Sequence, residues 1–221
     1  MFALTGKSAI VTGAGRGIGK GITASLLKQE ARVLLVDRDE ASVVATTEEF
    51  RAAGGDVGCF VGDTTSLADM ANMAAKAVDL FGGIDIVVAN AGVQPLDLLP
   101  DVTDEKLQDV MGNFYSMVYT VNACLEEIKR SDNGRIVIVS SITGPITGFA
   151  GFSHYGASKA AEIGWMKTVA MEIADTGTTF NALLPGNTAT GPIADYGPEY
   201  HADVKRTNPI GRLGTVDEMG A

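Results

Sequence analysis

The sequence predicts a doubly wound α/β fold, a single three-layer domain in which one parallel sheet carries helices on both faces. Three observations predict it. Short aliphatic, β-branched runs recur along the chain and are apolar at nearly every position, as strands covered on both faces must be. Between them lie stretches long enough for a helical crossover, and strand, helix, strand repetition closes into a parallel sheet. The 221 residues suffice for one large core, and 46% hydrophobic with 20% charged residues is the balance of a globular domain.

Taken in order, the first run is Ser8 to Thr12 (SAIVT), followed by a glycine-rich turn and a helical stretch from Ile18 to Gln29. Arg32 to Val36 (RVLLV) leads into a helix over Ala41 to Ala53. Val57 to Val61 (VGCFV) precedes one over Leu67 to Phe81. Ile84 to Ala89 (IDIVVA) precedes the longest, Asp104 to Lys129. Arg135 to Ser140 (RIVIVS) and Phe180 to Leu184 (FNALL) complete the set, with a helix between them that starts near Tyr155. Asn187 to Ala221 is rich in Gly, Pro and polar residues and reads mainly as loop, with at most one short helix and no further strand. Neither a linker nor a repeat divides the chain, so residues 1–221 are expected to form one domain with a long loop over about 187–215.

The charge excludes some functions. A net −10 opposes the counterion release that draws basic proteins onto nucleic acid. The amino terminus lacks a basic segment followed by a long apolar one, and no apolar run approaches the roughly 20 residues that span a bilayer. A cytoplasmic protein without membrane partners is expected. Cys59 and Cys124 lack CxxC or Cys/His spacing, which leaves them as small buried residues in a reducing compartment, with no metal site.

Ligands of such sheets bind beyond the carboxyl ends of the strands, so chemistry-bearing residues should follow each run. After the first comes TGAGRGIGKG, Thr12 to Gly21. Gly13, Gly17 and Gly19 form the pattern TGxxxGxG, with Ile18 where GxGxxG would need a third glycine. The first permits the turn, the second lets backbone approach a pyrophosphate, and the third permits close helix packing. Arg16 and Ile18 complete this candidate contact set. The second run is followed directly by Asp37, a carboxylate able to accept both adenosine ribose hydroxyls and to repel a 2′-phosphate, which favours NAD. Arg16 and Arg38 pull toward NADP, the second choice. Asp63 follows the third run, either as an acceptor for an adenine amino group or as a turn residue. Asn90, Ala91 and Gly92 follow the fourth and are small enough for backbone to lie along a ribose.

The fifth run ends at Ser140 and Ser141, and fourteen residues later HYGASKA places Tyr155 and Lys159 four apart on one helical face. Serine, tyrosine and lysine without a histidine or cysteine nucleophile suit proton transfer. Lowering a free phenol from about 10 to about 7 takes about 4 kcal/mol. An ammonium about 5 Å away supplies roughly 3 kcal/mol at an effective dielectric near 20. The small residues between, Gly156, Ala157 and Ser158, are expected to keep the cofactor side open.

TGAGRGIG, ANAG, SSITG, YGASK and LLPGN, in this order, resemble the short-chain dehydrogenase/reductase family across essentially the whole chain, and in particular members labelled 3-oxoacyl carrier-protein reductases. The resemblance implies a Rossmann fold, a nicotinamide cofactor and a homodimer or homotetramer acting on a small alcohol or ketone. It implies Tyr155 as general acid/base, Lys159 as the group that tunes the phenol and holds ribose hydroxyls, and Ser141 as the group that orients the substrate oxygen. Asn113 maps to an asparagine that keeps a water in a proton relay; Asn122 stands too late on the helix. Pro185 and Gly186 map to a PG motif, with Thr188 and Thr190 near the nicotinamide carboxamide. Gln94, Ile142, Pro145, Phe149, Phe152 and His154, with the loop after Asn187, are the expected pocket lining; His154 and His201 are passed over as bases because Tyr155 fills that role. The family's further helix and seventh strand are not expected in a sequence that stops at Ala221.

Overall fold

The computed structural model describes residues 3–191 and 197–221. Strands β1 (Ser8–Thr12), β2 (Arg32–Asp37), β3 (Val57–Val61), β4 (Ile86–Ala89), β5 (Arg135–Val139) and β6 (Thr179–Leu183) form one sheet in the order β3-β2-β1-β4-β5-β6, all neighbours parallel. Ile10 at the centre stands between Leu34 of β2 and Val87 of β4. The chain winds outward from β1 to β3, returns to β4 beside β1, and winds the other way. The loops after β1 and β4 therefore part in opposite directions and leave a crevice at the carboxyl ends of the strands.

Period-two alternation sends successive side chains to opposite faces. Ala9, Val11, Val33 and Leu35 pack with Ile22 of α1 (Gly17–Lys28) and Val43 of α2 (Glu40–Ala52). Ile10, Leu34, Val36 and Ile136 pack on the other side with Met70 and Met73 of α3 (Leu67–Phe81) and with Met117, Val121 and Ile128 of α4 (Asp104–Arg130). Ile163, Trp165 and Met166 of α5 (Ser153–Glu172) flank that second core. Three helices, α2, α3 and α4, start where a side chain takes an orphan amide: Asp39 accepts from Ser42 N, Ser66 from Asp69 N and Thr103 from Lys106 N.

The end of the sheet away from the crevice is tied by Asp85, which accepts from Lys7 Nζ (3.0 Å), Ser8 N (2.9 Å) and Ser131 Oγ (2.5 Å). Burial pushes this carboxyl up, but the bonds from Ser131, Ser8 and Lys7 outweigh it and hold the group below the usual aspartate value. β4 starts at Ile86 instead of Ile84. In contrast, β2 runs one residue further than expected and ends on Asp37 itself.

The last stretch differs from expectation. It contains two helices, α6 (Pro198–Thr207) and α7 (Val216–Gly220), instead of at most one. The signal for α7 was in the sequence: Thr215 and Glu218 form a capping box, each side chain bonding the other's backbone amide. α7 packs on α1, with the Val216 backbone so close to Gly21 that a side chain there would not fit. Thr188 bridges Gly214, Ala189 N donates to Gly214 O (2.8 Å) and Gly214 N donates to Asn187 O (2.9 Å), closing the base of the 187–215 segment. Of that segment, residues 192–196 lie outside the described ones, and so does the side chain of His201. Both cysteines are free, and burial pushes the Cys124 thiol up to about 12. No helix among the described residues is long and apolar enough to cross a membrane.

Candidate active site

A cavity of about 550 Å³ opens at the carboxyl ends of the strands, and the sequence-derived candidates converge on it. Gly13, Arg16, Gly17 and Ile18 line it from the turn before α1; Asp37 and Asp63 from the ends of β2 and β3; Asn90, Ala91 and Gly92 from the end of β4. Asn113, Ser141, Tyr155 and Lys159 line the opposite part, with Pro185, Gly186, Thr188 and Thr190 closing one side. Gly19 is the exception. It lies behind the wall, where a Cβ would overlap the Gly13 carbonyl, so its smallness serves packing as the sequence suggested.

The glycine turn and the loop after β4 are built against each other. Gly13 has φ +63°, and a Cβ there would sit 2.9 Å from Ala91 Cα. Asn90 Nδ2 donates to the carbonyls of Thr12 (2.9 Å) and Gly13 (3.2 Å), while Thr12 Oγ1 accepts from the amides of Asn90 (3.0 Å) and Ala91 (3.1 Å). Thr12 thus staples the crevice shut at its base, a role the sequence reading did not assign. At the start of α1 no side chain caps the helix and no acidic residue occupies the first turn, which leaves its amides directed at the cavity.

Asp37 accepts from Gly15 N through Oδ2 (3.0 Å) and from Asp39 N through Oδ1 (3.1 Å). Gly15, a fourth glycine passed over in the sequence, is required there: a Cβ would lie 2.9 Å from Ser42 Cβ and 3.0 Å from Asp37 Oδ2. Arg16 is largely in solvent, 3.9 Å from the Asp39 carboxylate. Asp63 folds into its own turn, Oδ1 accepting from the amide (2.8 Å) and hydroxyl (2.7 Å) of Thr65; those two bonds lower its carboxyl pKa.

Beyond β5, Ser141 is 7% exposed and accepts from Thr143 N at 3.1 Å. Tyr155, also 7% exposed, has Phe152 edge-on to its ring at 5.8 Å. Lys159 Nζ donates to Val139 O (3.0 Å) and to Glu162 Oε1 (2.9 Å), and lies 5.9 Å from the Tyr155 ring centroid. Asn113 spends its side-chain amide on the loop after β4, accepting from Val93 N (2.8 Å) and donating to Val93 O (2.9 Å), with Ser158 Oγ at 3.4 Å.

Several expectations are corrected here. The small residues between Tyr155 and Lys159 do not clear the cofactor side. Gly156 takes the backbone of Gly144, which is at φ +102° and pressed against it; Ser158 is buried and donates to Tyr155 O (2.8 Å); Ala157 faces outward. They dock the Ser141 loop on α5. Of the expected lining side chains only Gln94 and Ile142 reach the cavity, while Pro145, Phe149, Phe152 and His154 do not. His154 is buried with Nε2 3.3 Å from Asp97 Oδ2, and neither ring nitrogen makes a well-aligned hydrogen bond. Asp97 is also held by Lys106 Nζ at 2.5 Å, which lowers its pKa. Glu162 was missed altogether. It is 2% exposed, and burial pushes its carboxyl up while the neighbouring Lys159 ammonium works against the shift.

Residues 7–200 match a family model described as short chain dehydrogenase. The chain belongs to that family. Among its relatives in the short-chain dehydrogenase family are L-rhamnose 1-dehydrogenase (NAD(P)(+)) of Azotobacter vinelandii, 31% identical over 98% of this chain and 87% of that one. Another is 3-oxoacyl-[acyl-carrier-protein] reductase FabG of Escherichia coli, 32% identical over 97% of this chain and 86% of the relative. The crystal structure of a short chain dehydrogenase from Burkholderia cenocepacia in complex with NADP superposes with a TM-score of 0.90 at 30% identity, covering 98% of this chain and 88% of that one. The six-stranded parallel sheet of this chain, flanked by helices, is the Rossmann-like domain of the short-chain dehydrogenases.

Proposed function

We propose that the protein is an NAD(P)-dependent oxidoreductase that interconverts a secondary alcohol and a ketone, using NAD in preference to NADP. The observation that carries this reading is the convergence of Ser141, Tyr155 and Lys159, none more than 7% exposed, on a cavity whose other end is the glycine turn and Asp37.

The residues present fit a dinucleotide. The uncapped amides at the start of α1 favour an anion such as a pyrophosphate. Gly13, Arg16, Gly17 and Ile18 would hold that portion, Asp37 a ribose, Asp63 the adenine end, and Asn90 to Gly92 with Pro185, Gly186, Thr188 and Thr190 the nicotinamide half. The bound dinucleotide supplies the hydride chemistry. Asp37, fixed through both oxygens by backbone amides, repels a 2′-phosphate, whereas Arg16 is exposed and screened by solvent.

Tyr155 exchanges the proton on the substrate oxygen through its phenol. Lys159 has two of its three donors spent on Val139 and Glu162, which leaves a third for a ribose hydroxyl and a charge to favour the phenolate. Ser141 orients the substrate oxygen. Asn113 fixes the loop after β4, through Val93, at the height of the reacting groups.

Leu96, Leu98, Leu99, Ile146 and Phe149 are exposed on the segments after β4 and β5 that flank Tyr155. Such an apolar approach supports a ketone on a hydrophobic or carrier-linked chain, such as a 3-oxoacyl thioester. We expect the enzyme to act in the cytoplasm as a homodimer or homotetramer. The decisive experiment presents 3-oxoacyl thioesters and simple ketones with NADH and with NADPH, and sugars with NAD and with NADP, and follows absorbance of the reduced nicotinamide. Turnover of the thioesters supports the reading; preferential oxidation of sugars moves the substrate class; dinucleotide binding without turnover of any compound overturns it.

A further inference from the structure

Glu162 stands three residues beyond Lys159 on α5, and its carboxylate is sealed from solvent. Oε1 accepts from Lys159 Nζ at 2.9 Å, while Oε2 makes no well-aligned hydrogen bond among the described residues, although the Ser140 hydroxyl lies near enough to favour the charged carboxylate. A carboxylate buried in this way is costly to a fold, and an apolar residue at a helix face packed against the sheet would cost nothing. What the position gains is a counter-charge on the one ammonium that faces Tyr155.

We propose that Glu162 is the positioning residue of Lys159: it holds Nζ beneath the crevice and, by cancelling part of its charge, sets the pH range over which Tyr155 exchanges its proton. This rests on the reading of Tyr155 and Lys159 given above. Tyr155, Lys159 and Glu162 lie at i, i+4 and i+7, one stripe of the same helix, so the lysine separates the phenol from the carboxylate. The phenol feels an attractive charge and, further off, a repulsive one; removing the second leaves the first unopposed. Few other groups intrude. β5 contributes the Val139 carbonyl and the Ser140 hydroxyl, the latter bonded to Lys159 O at 3.0 Å. α4 contributes the amide of Asn113 and, at the outer mouth of the cavity, exposed Asp109. β6 carries no titratable side chain. His154, at the start of α5, is turned to Asp97.

The test needs no substrate. Phenolate absorbance of the full chain is titrated, with Tyr155→Phe as the blank that isolates Tyr155 from the other tyrosines. Glu162→Gln keeps the shape and an acceptor for Nζ but removes the charge, and is expected to move the Tyr155 titration to lower pH by about half a unit or more. Glu162→Asp, which keeps the charge but withdraws it, moves it the same way by less; it carries the test if Glu162→Gln does not fold. An unchanged titration in whichever variant folds overturns the inference, because a purely structural Glu162 alters stability without touching the phenol. Lys159→Met separates the two claims: if it too leaves Tyr155 unmoved, the reading of the catalytic pair fails, whereas a response to Lys159→Met alone sinks only the role of Glu162.

Discussion

On the proposed function, Tyr155 is the residue on which turnover depends most directly. Tyr155→Phe removes one hydroxyl from a side chain whose ring is held by Phe152, so the site keeps its shape. Turnover is expected to fall by at least about 10²-fold while NADH fluorescence reports unchanged binding. At the other end of the cavity, Asp37→Ala deletes the carboxylate that Gly15 N and Asp39 N share. The ratio of kcat/KM for NADP over NAD is expected to rise about tenfold, a change of about 1.4 kcal/mol; an unchanged ratio would mean the carboxylate does not face the ribose. That Tyr155, Lys159, Ser141 and Asp37 would share one cavity was legible in the sequence because each stands at a fixed distance from a strand end or a helical neighbour. Thr12, Gly15 and Glu162 were not, because each acts on a group brought near it only by folding. The Gly156 to Ser158 stretch was misread for the same reason: smallness is visible in a sequence, but not which neighbour needs it.

At the scale of elements, the joint between the Ser141 loop and α5 decides whether the reacting groups meet. Gly144 sits at φ +102° with the Gly156 carbonyl where its Cβ would go, whereas Gly148, a few residues on, has nothing near it. Gly144→Ala is expected to cost at least about 2 kcal/mol of unfolding free energy and Gly148→Ala less than about 0.5 kcal/mol, measured by denaturant titration. The strands and the first four helices were readable to within about two residues because buried parallel strands and amphipathic crossovers have different periods. The last stretch was underread because composition was weighed above local signals. Pro198 at the first turn of α6 and the Thr215 and Glu218 box of α7 are helix starts in a background of loop-forming residues.

Over the whole molecule, acid should be the sensitive direction. Asp63, Asp85, Asp97 and Glu218 are all held below their ordinary values of 3.8 and 4.5, Glu218 down to about 2 by Arg212 and the Thr215 amide. A lowered folded-state value stabilises above the unfolded one and is lost as pH falls through the folded one. Glu162 has the opposite sign: its raised value favours the fold at low pH and that contribution is lost as pH rises through it. Together with Asp39, lowered by its bonds from Ser42, the lowered carboxyls outnumber the one raised carboxyl and predict a melting temperature that is level near neutrality and drops below about pH 4.5; a melting temperature that rose on acidification would contradict the assignment. The bonds joining Asn187, Thr188 and Ala189 to Gly214 have a separate consequence. Those bonds hold both ends of the excursion together, so its closure does not depend on the chain that runs between them. Doubling the length of such a closed excursion costs only about 0.6 kcal/mol, which lets new selectivity be grafted there while the machinery beneath stays as it is.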